Sequence, residues 1–289
     1  MNITSTTLDL IAGECADYLK KMGVECPKIS ADLLIGQVLG LSKLEMILRP
    51  RYELSEQECG QIKELIERRA QGEPVAYILG RKEFFGLELK VDSQVLIPRP
   101  ETEELVYLVR ELFAAEERFL FADLGTGSGA IALALLNEFE NSKGLLVDLS
   151  LKALNIAFCN AYRFSERSRY QVVQADLASS LKPLKFDLIV ANPPYLIEDD
   201  FQDLDIGVSR YEPRQALLAG KNRADIHIAI ARQAYWALKP KGWLLMEMDY
   251  RQKDLKEIAF DSLPDKWSAS FVRKDLAGLD RVIAARKVV

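Results

Sequence analysis

The run Phe186-Asp187-Leu188-Ile189-Val190-Ala191 ends abruptly in Asn192-Pro193-Pro194-Tyr195, and this junction constrains the chain more than any other stretch. A short apolar run rich in branched residues and closed by prolines reads as a buried strand of an α/β sheet. Prolines cannot continue a ladder, so the strand stops at Asn192. In open α/β sheets that carboxyl end is where ligands bind. The loop is stiff and rich in acceptors. The Asn192 carboxamide oxygen and the Pro193 carbonyl can together accept both hydrogens of a planar –NH2 group, while the Tyr195 ring covers its flat face. That geometry suits an amide or an exocyclic base amine, although the same residues also serve as ordinary turn formers.

The length allows about two domains. Charges are mixed in sign, with a net of -5 and a pI near 5.3, which argues against a broad grip on nucleic acid. The four cysteines, Cys15, Cys26, Cys59 and Cys159, lack C-x-x-C spacing and suggest neither a disulfide framework nor a zinc site. His227 is the single histidine, with no Cys or His near it in sequence, so metal and Ser-His-Asp chemistry are both disfavoured. The amino terminus has no basic segment followed by an apolar one, and no run approaches a membrane-spanning length. A cytoplasmic protein without membrane contact is expected, and a monomer.

Residues 1–80 read as three to five short helices forming a bundle, a candidate substrate-docking domain. Apolar stripes run through Leu8, Ile11, Cys15, Tyr18 and Leu19 and through Leu33, Leu34, Val38 and Leu41. Ser42 with Glu45, and Ser55 with Glu58, have capping-box spacing. From Phe84 to Ile97 the period shifts toward two, so residues 81–98 read as a hairpin linker. Residues 99–289 form the second domain. Ile97 to Glu104 stiffens the chain before a helix, with Thr102 and Glu103 as candidates to face a ligand.

Phe119 to Leu124 reads as a strand entering Gly125-Thr126-Gly127-Ser128-Gly129-Ala130 and then a helix. Such glycines let a ligand approach the backbone and leave helix-start N–H groups free. The spacing also fits G-x-G-x-x-A, so a nicotinamide dinucleotide stays open on the glycines alone. Asp123, just before the loop, tilts the reading: it would repel a pyrophosphate and favour a cation, and S-adenosylmethionine carries a sulfonium and an ammonium. Asp148 ends the next strand, at the distance expected for a carboxylate that accepts ribose hydroxyls, and Ser150 caps the following helix. Asp176, after the third strand, is a candidate to accept from an adenine amine, with Leu177 against the ring. Leu196 to Asn222 reads as one long irregular segment, a kind of loop that is usually functional. Strands over Trp243 to Glu247, Ser268 to Val272 and Arg281 to Ala285 bring the count to seven, with turns at Asp261 to Lys266 and Asp275 to Asp280. The expected class is α/β with a small N-terminal helical bundle.

From about Glu73 onward the chain resembles the release-factor glutamine methyltransferases. The likeness rests on Glu73-Pro74-Val75-Ala76-Tyr77-Ile78-Leu79-Gly80, Ile97 through Glu103, Asp123 through Ala130, Asn192 through Tyr195, Tyr211-Glu212-Pro213 and Arg281-Val282. The resemblance implies a seven-stranded Rossmann-like methyltransferase sheet and S-adenosylmethionine as methyl donor. It also implies a protein substrate, the Gly-Gly-Gln loop of peptide chain release factors, methylated on the glutamine amide nitrogen. Cofactor contacts are implied at Gly125 to Gly129, Asp148, Leu177 and Asn192, and substrate contacts at Asn192, Pro193, Pro194 and Tyr195, with Asn192, Pro193 and Tyr195 as the catalytic group. Asn-Pro-Pro-Tyr alone is shared with adenine amino-methyltransferases and ribosomal-protein glutamine methyltransferases. A nucleic-acid enzyme should add a basic reading domain, which is not evident here. A dinucleotide oxidoreductase leaves Asn-Pro-Pro-Tyr unexplained, and a non-catalytic module that binds release factors is the remaining alternative.

Overall fold

A computed structural model describes residues 6–261 and 265–288. Two compact units result, one ending at Arg81 and including the later segment Asp205–Tyr211, the other spanning Lys82–Leu204 and the chain from Glu212 onward.

The first unit holds α1 (Leu8–Lys21), α2 (Pro27–Leu39), α3 (Lys43–Leu48), α4 (Glu56–Ala70) and α5 (Val75–Leu79). Both expected capping boxes form: the hydroxyls of Ser42 and Ser55 accept from the N–H groups of Glu45 and Glu58, and each glutamate returns the contact. Leu8, Ile11, Cys15 and Leu19 of α1 pack against Leu34, Ile35, Ile62 and Ile66 in one apolar core. Leu33 departs from its expected stripe. It is exposed while Ile35 is buried, because α2 is apolar nearly all round and the packing, not the pattern, chooses the buried face.

The second unit opens with a hairpin, β1 (Arg81–Phe84) and β2 (Leu87–Lys90), shorter than the period-two pattern suggested. Phe84, Leu87 and Leu89 enter the unit's core, so the hairpin is part of that body. Then follow α6 (Glu103–Leu112), β3 (Leu120–Leu124), α7 (Ala130–Glu138), β4 (Lys143–Asp148), α8 (Leu151–Phe164), β5 (Tyr170–Gln174) and β6 (Phe186–Ala191). The expected irregular segment after β6 is in fact largely ordered. It contains α9 (Ile206–Tyr211), which belongs to the first unit, where the Ile206 side chain lies against Gly72. Short polar stretches with Gly207 in the middle hid it from periodicity. The remaining elements are α10 (Asp225–Ala237), β7 (Leu238–Glu247), β8 (Trp267–Lys274) and β9 (Asp280–Lys287). Residues 262–264 of the turn expected at Asp261 to Lys266 lie outside the described residues, and Asp261 itself ends a π-helical turn.

The main sheet has seven strands in the order β5-β4-β3-β6-β7-β9-β8. All neighbours through β7 are parallel, and β9 runs antiparallel between β7 and β8. The central strands are covered on both faces, by α6, α7 and α8 on one and by α10 on the other, which is why they read as continuous apolar runs. The order reverses between β3 and β6, and a crevice at the carboxyl ends of strands is expected at such a switch point. Among the described residues no helix is long and apolar enough to cross a membrane.

Candidate active site

Strand register assembles the site. Leu124 pairs with Val147 on one side and Ala191 on the other, so Gly125, Asp148 and Asn192 stand level at three adjacent strand ends. Asp148 pairs with Gln174, which brings Asp176 just beyond, and Ala191 pairs with Met246, which brings Glu247 level with Asn192.

A cavity of about 290 Å³ opens there. Its wall includes Gly125, Thr126, Gly127 and Ser128 after β3, Asp148, Asp176 and Leu177, and Asn192 and Pro194 after β6. Pro98, Arg99 and Thr102 close another side, with Gln215 from the segment after α9.

The glycine loop is held from below. Gly127 has φ +55 and donates its N–H to Asp148 Oδ2 at 2.9 Å, while Thr126 N–H donates to the Val147 carbonyl at 2.9 Å. Gly129 caps α7 with φ +85, a left-handed conformation that favours glycine. Gly129 thus supports the loop and does not line the cavity.

Asp123 departs from its expected place beside a ligand cation. It is fully buried beneath the loop, where its Oδ2 accepts from Thr126 Oγ1 at 2.6 Å and from Ala132 N–H at 3.3 Å. Burial pushes its carboxyl up to about 7 against the opposing pull of those bonds. The reason is the strand's alternation, which turns Asp123 away from the cavity.

Asp148 does face the cavity. Its Oδ1 accepts from Ser150 N–H at 2.8 Å and its Oδ2 from Gly127, so the carboxylate is fixed while each oxygen keeps a lone pair for a ligand hydroxyl. Burial raises its carboxyl and the backbone donors lower it. Asp176 is exposed at the rim, and Leu177 beside it adopts φ +50.

In the Asn-Pro-Pro-Tyr loop the extended backbone sends alternate side chains to opposite sides. Asn192 and Pro194 line the cavity, Pro193 is buried, and Tyr195 is turned away, half-buried. Burial, then the charges of Glu247 and Asp249, push the Tyr195 hydroxyl up to about 12, so it holds its proton. Neither Pro193 nor Tyr195 is part of the cavity wall, where the sequence reading places the Pro193 carbonyl and the Tyr195 ring. Asn192 Nδ2 donates to Thr102 Oγ1 at 3.1 Å, which leaves Oδ1 as the acceptor on the other side of the carboxamide. Thr102, a candidate to face a ligand, does line the cavity and is otherwise buried. Glu103 is diverted: its Oε1 accepts from Phe85 N–H at 3.0 Å and supports the hairpin.

Two residues were missed by sequence reasoning. Glu212 accepts from Arg99 and from Ile97 N–H, and Glu247 is buried at the end of β7, level with Asn192. Glu247 had a signal: like Asp148, it is a carboxylate at the end of an apolar strand.

Residues 13–80 match the model of the PrmC N-terminal domain, and residues 106–206 match that of the methyltransferase small domain. The chain is 39% identical over 292 residues to the release factor glutamine methyltransferase of Nitratidesulfovibrio vulgaris, covering 99% of this chain and 98% of the relative. The chain belongs to the release factor glutamine methyltransferase family. Another member of this family, from Koribacter versatilis, is 39% identical over 272 residues, covering 93% of this chain and 95% of the relative. In fold the enzyme is like the crystal structure of a methyltransferase from Pyrococcus furiosus, with 16% identity, a TM-score of 0.51, and coverage of 71% of this chain and 91% of that one.

Proposed function

We propose that this methyltransferase transfers a methyl group from S-adenosylmethionine to the side-chain amide nitrogen of the glutamine in the Gly-Gly-Gln loop of peptide chain release factors. The observation that carries this reading is the Asn192 carboxamide, held by Thr102 at the mouth of a cavity walled by the glycine loop and Asp148. The donor set suits the cofactor: Asp148 would hold the ribose hydroxyls, the loop amides would border its polar end, and Asp176 with Leu177 would flank the adenine. When bound, S-adenosylmethionine supplies an electrophilic methyl on a sulfonium.

An amide nitrogen is a poor nucleophile because its lone pair is delocalised into the carbonyl. Asn192 Oδ1 and the Pro193 carbonyl would accept its two hydrogens, orienting the nitrogen and stabilising the positive charge that develops on it. Oriented acceptors need no strong base, since the proton leaves once the nitrogen is methylated. Tyr195 would act by packing behind the loop. The first unit is proposed to dock the folded factor, and the exposed Leu44, Ile47 and Leu48 of α3 are apolar surface suited to a protein partner.

The test is mass spectrometry of purified release factor after incubation with enzyme and S-adenosylmethionine. One added methyl on the glutamine is expected, and none on a Gly-Gly-Glu variant, because sites built to pair with N–H groups reject analogues lacking them by about 10⁴ to 10⁵. Methylation of an adenine-containing oligonucleotide in preference to the factor would replace this reading with the nucleic-acid one.

A further inference from the structure

Asparagine is a poor helix former, because its side chain competes for backbone groups. Asn160 nevertheless stands inside α8, 2% exposed, and its carboxamide bonds to two separate stretches of chain. Oδ1 accepts from Lys90 N–H at 2.8 Å and Nδ2 donates to the Lys90 carbonyl at 3.0 Å, so the side chain meets β2 as a neighbouring strand would. Nδ2 also donates to the Ser128 carbonyl in the glycine loop at 2.9 Å. The nitrogen carries two hydrogens and the oxygen none, so an N–H facing one end and two carbonyls facing the other admit a single orientation of the carboxamide. All three partners are backbone groups.

Both stretches lead into the cavity wall. Ser128 lines it directly, next to Gly127, whose N–H is braced by Asp148. Lys90 ends β2, and the chain beyond it reaches the cavity at Gln94, Val95 and Leu96. The turn between is fixed: Gln94 N–H donates to Asp92 Oδ1 at 2.9 Å and Val95 N–H to the Asp92 carbonyl at 3.1 Å. Holding Lys90 therefore holds Gln94, and the same side chain holds Ser128.

We propose that Asn160 is a positioning residue for the cofactor, its carboxamide fixing the glycine loop and the stretch after β2 relative to each other so that S-adenosylmethionine meets a preformed cavity. This rests on the reading of that cavity as the S-adenosylmethionine site. Asn160 is not part of the cavity wall and acts through Ser128 and Lys90. Without it the empty walls would spread over several arrangements, and binding would have to select one. That lowers affinity but leaves the chemistry of the bound complex alone.

The experiment measures S-adenosylhomocysteine binding by calorimetry, and methyl transfer to a release factor, in wild type, Asn160→Leu, Asn160→Ser and Arg163→Ala. Leucine has the same branched shape and makes none of the three bonds, while serine keeps one hydroxyl. Arg163 is the control: it also ties α8 to β2, through the Glu88 carbonyl and carboxylate, without a bond to the glycine loop. Asn160→Leu should weaken S-adenosylhomocysteine binding and raise KM for S-adenosylmethionine by about tenfold, as expected when buried polar groups lose their partner. Asn160→Ser should fall between it and wild type, and Arg163→Ala should match wild type. In all of them kcat at saturating cofactor and KM for the factor should stay within about threefold, the pattern of lost uniform binding.

An unchanged dissociation constant in Asn160→Leu, an equal loss in Arg163→Ala, or a fall in kcat at constant KM overturns the proposal. The last is what a merely destabilised enzyme gives, because only its active fraction drops. Should Asn160→Leu not fold, Asn160→Ser decides on the same criteria. A further readout needs no substitution: with selectively 15N-labelled asparagine, both Asn160 carboxamide hydrogens should exchange slowly in wild type, and rapid exchange overturns the proposal. If wild type binds no S-adenosylhomocysteine the functional reading falls, and the exchange measurement still decides whether the carboxamide is held.

Discussion

The guanidinium of Arg99 donates from Nη2 to Oε1 of Glu212 at 2.5 Å, across 113 positions of sequence, and Oε2 of the same carboxylate accepts from Ile97 N–H at 3.2 Å. The pair fixes the stretch that carries Pro98 and Arg99 against the cavity. Burial raises the Glu212 carboxyl, and Arg99 is the main force lowering it. Removing one partner of a buried pair leaves the other group uncompensated, here softened because Arg99 keeps a third of its side chain exposed. Glu212→Ala should therefore cost about 2 to 4 kcal/mol in a urea titration. A loss under about 1 kcal/mol, the level of a surface pair, would show that the contact contributes little.

Asp148 joins two roles, bracing Gly127 and facing the cavity. Asp148→Ala should weaken binding of S-adenosylhomocysteine by at least about tenfold, since hydrogen bonds to a charged group are worth roughly 1.5 to 3 kcal/mol each. Calorimetry reads this directly, and an unchanged dissociation constant would move the ribose to another place.

Asn192→Ala should leave the fold intact and remove turnover. Losing one preorganised polar group from a transition state costs about 2.7 to 4 kcal/mol, or roughly a hundred- to a thousandfold in rate. Single-turnover kinetics with saturating factor separate this from weaker binding. Near-normal turnover would remove Asn192 from the chemistry.

His227 is fully buried on α10, and its Nε2–H donates to the Glu247 carbonyl at 2.9 Å. Burial pushes its pKa down to about 4. The unfolded chain then binds more protons between about pH 6.5 and 4, so this residue's contribution to stability is present above pH 6.5 and is lost as pH falls through that window. As the single histidine it gives one pair of imidazole C–H signals in proton NMR, which should not titrate between pH 8 and 5 in the folded enzyme. A midpoint near 6.5 would mean that the ring is open to solvent.

Asp123 and Glu247 carry the opposite sign. Burial raises both to about 7, so the folded state binds more protons than the unfolded one above the ordinary carboxylate range. The stability they contribute is present below about pH 4 and is lost as pH rises toward 7. Relative to wild type, Glu247→Gln should show a shallower decline in unfolding free energy between pH 5 and 8 by denaturant titration. Identical slopes would place the Glu247 carboxyl near its ordinary range.

Much of this protein is local and was legible in the chain. The apolar runs at Phe121–Leu124 and Phe186–Ala191 need cover on both faces, which forces a parallel sheet, and prolines or glycines stop each strand where a ligand can enter. Capping boxes at Ser42 and Ser55 likewise depend on spacing alone. What periodicity does not encode is register and direction. Gly125, Asp148, Asn192 and Glu247 stand level only because of how β3, β4, β6 and β7 pair, and that pairing is decided by packing across the whole sheet. Alternation relative to the cavity then turned Asp123, Pro193 and Tyr195 away from it. The Arg99–Glu212 pair and the Asn192–Thr102 bond join residues 113 and 90 positions apart, so their partners became identifiable only once the tertiary structure had buried them together and left each polar group in need of one.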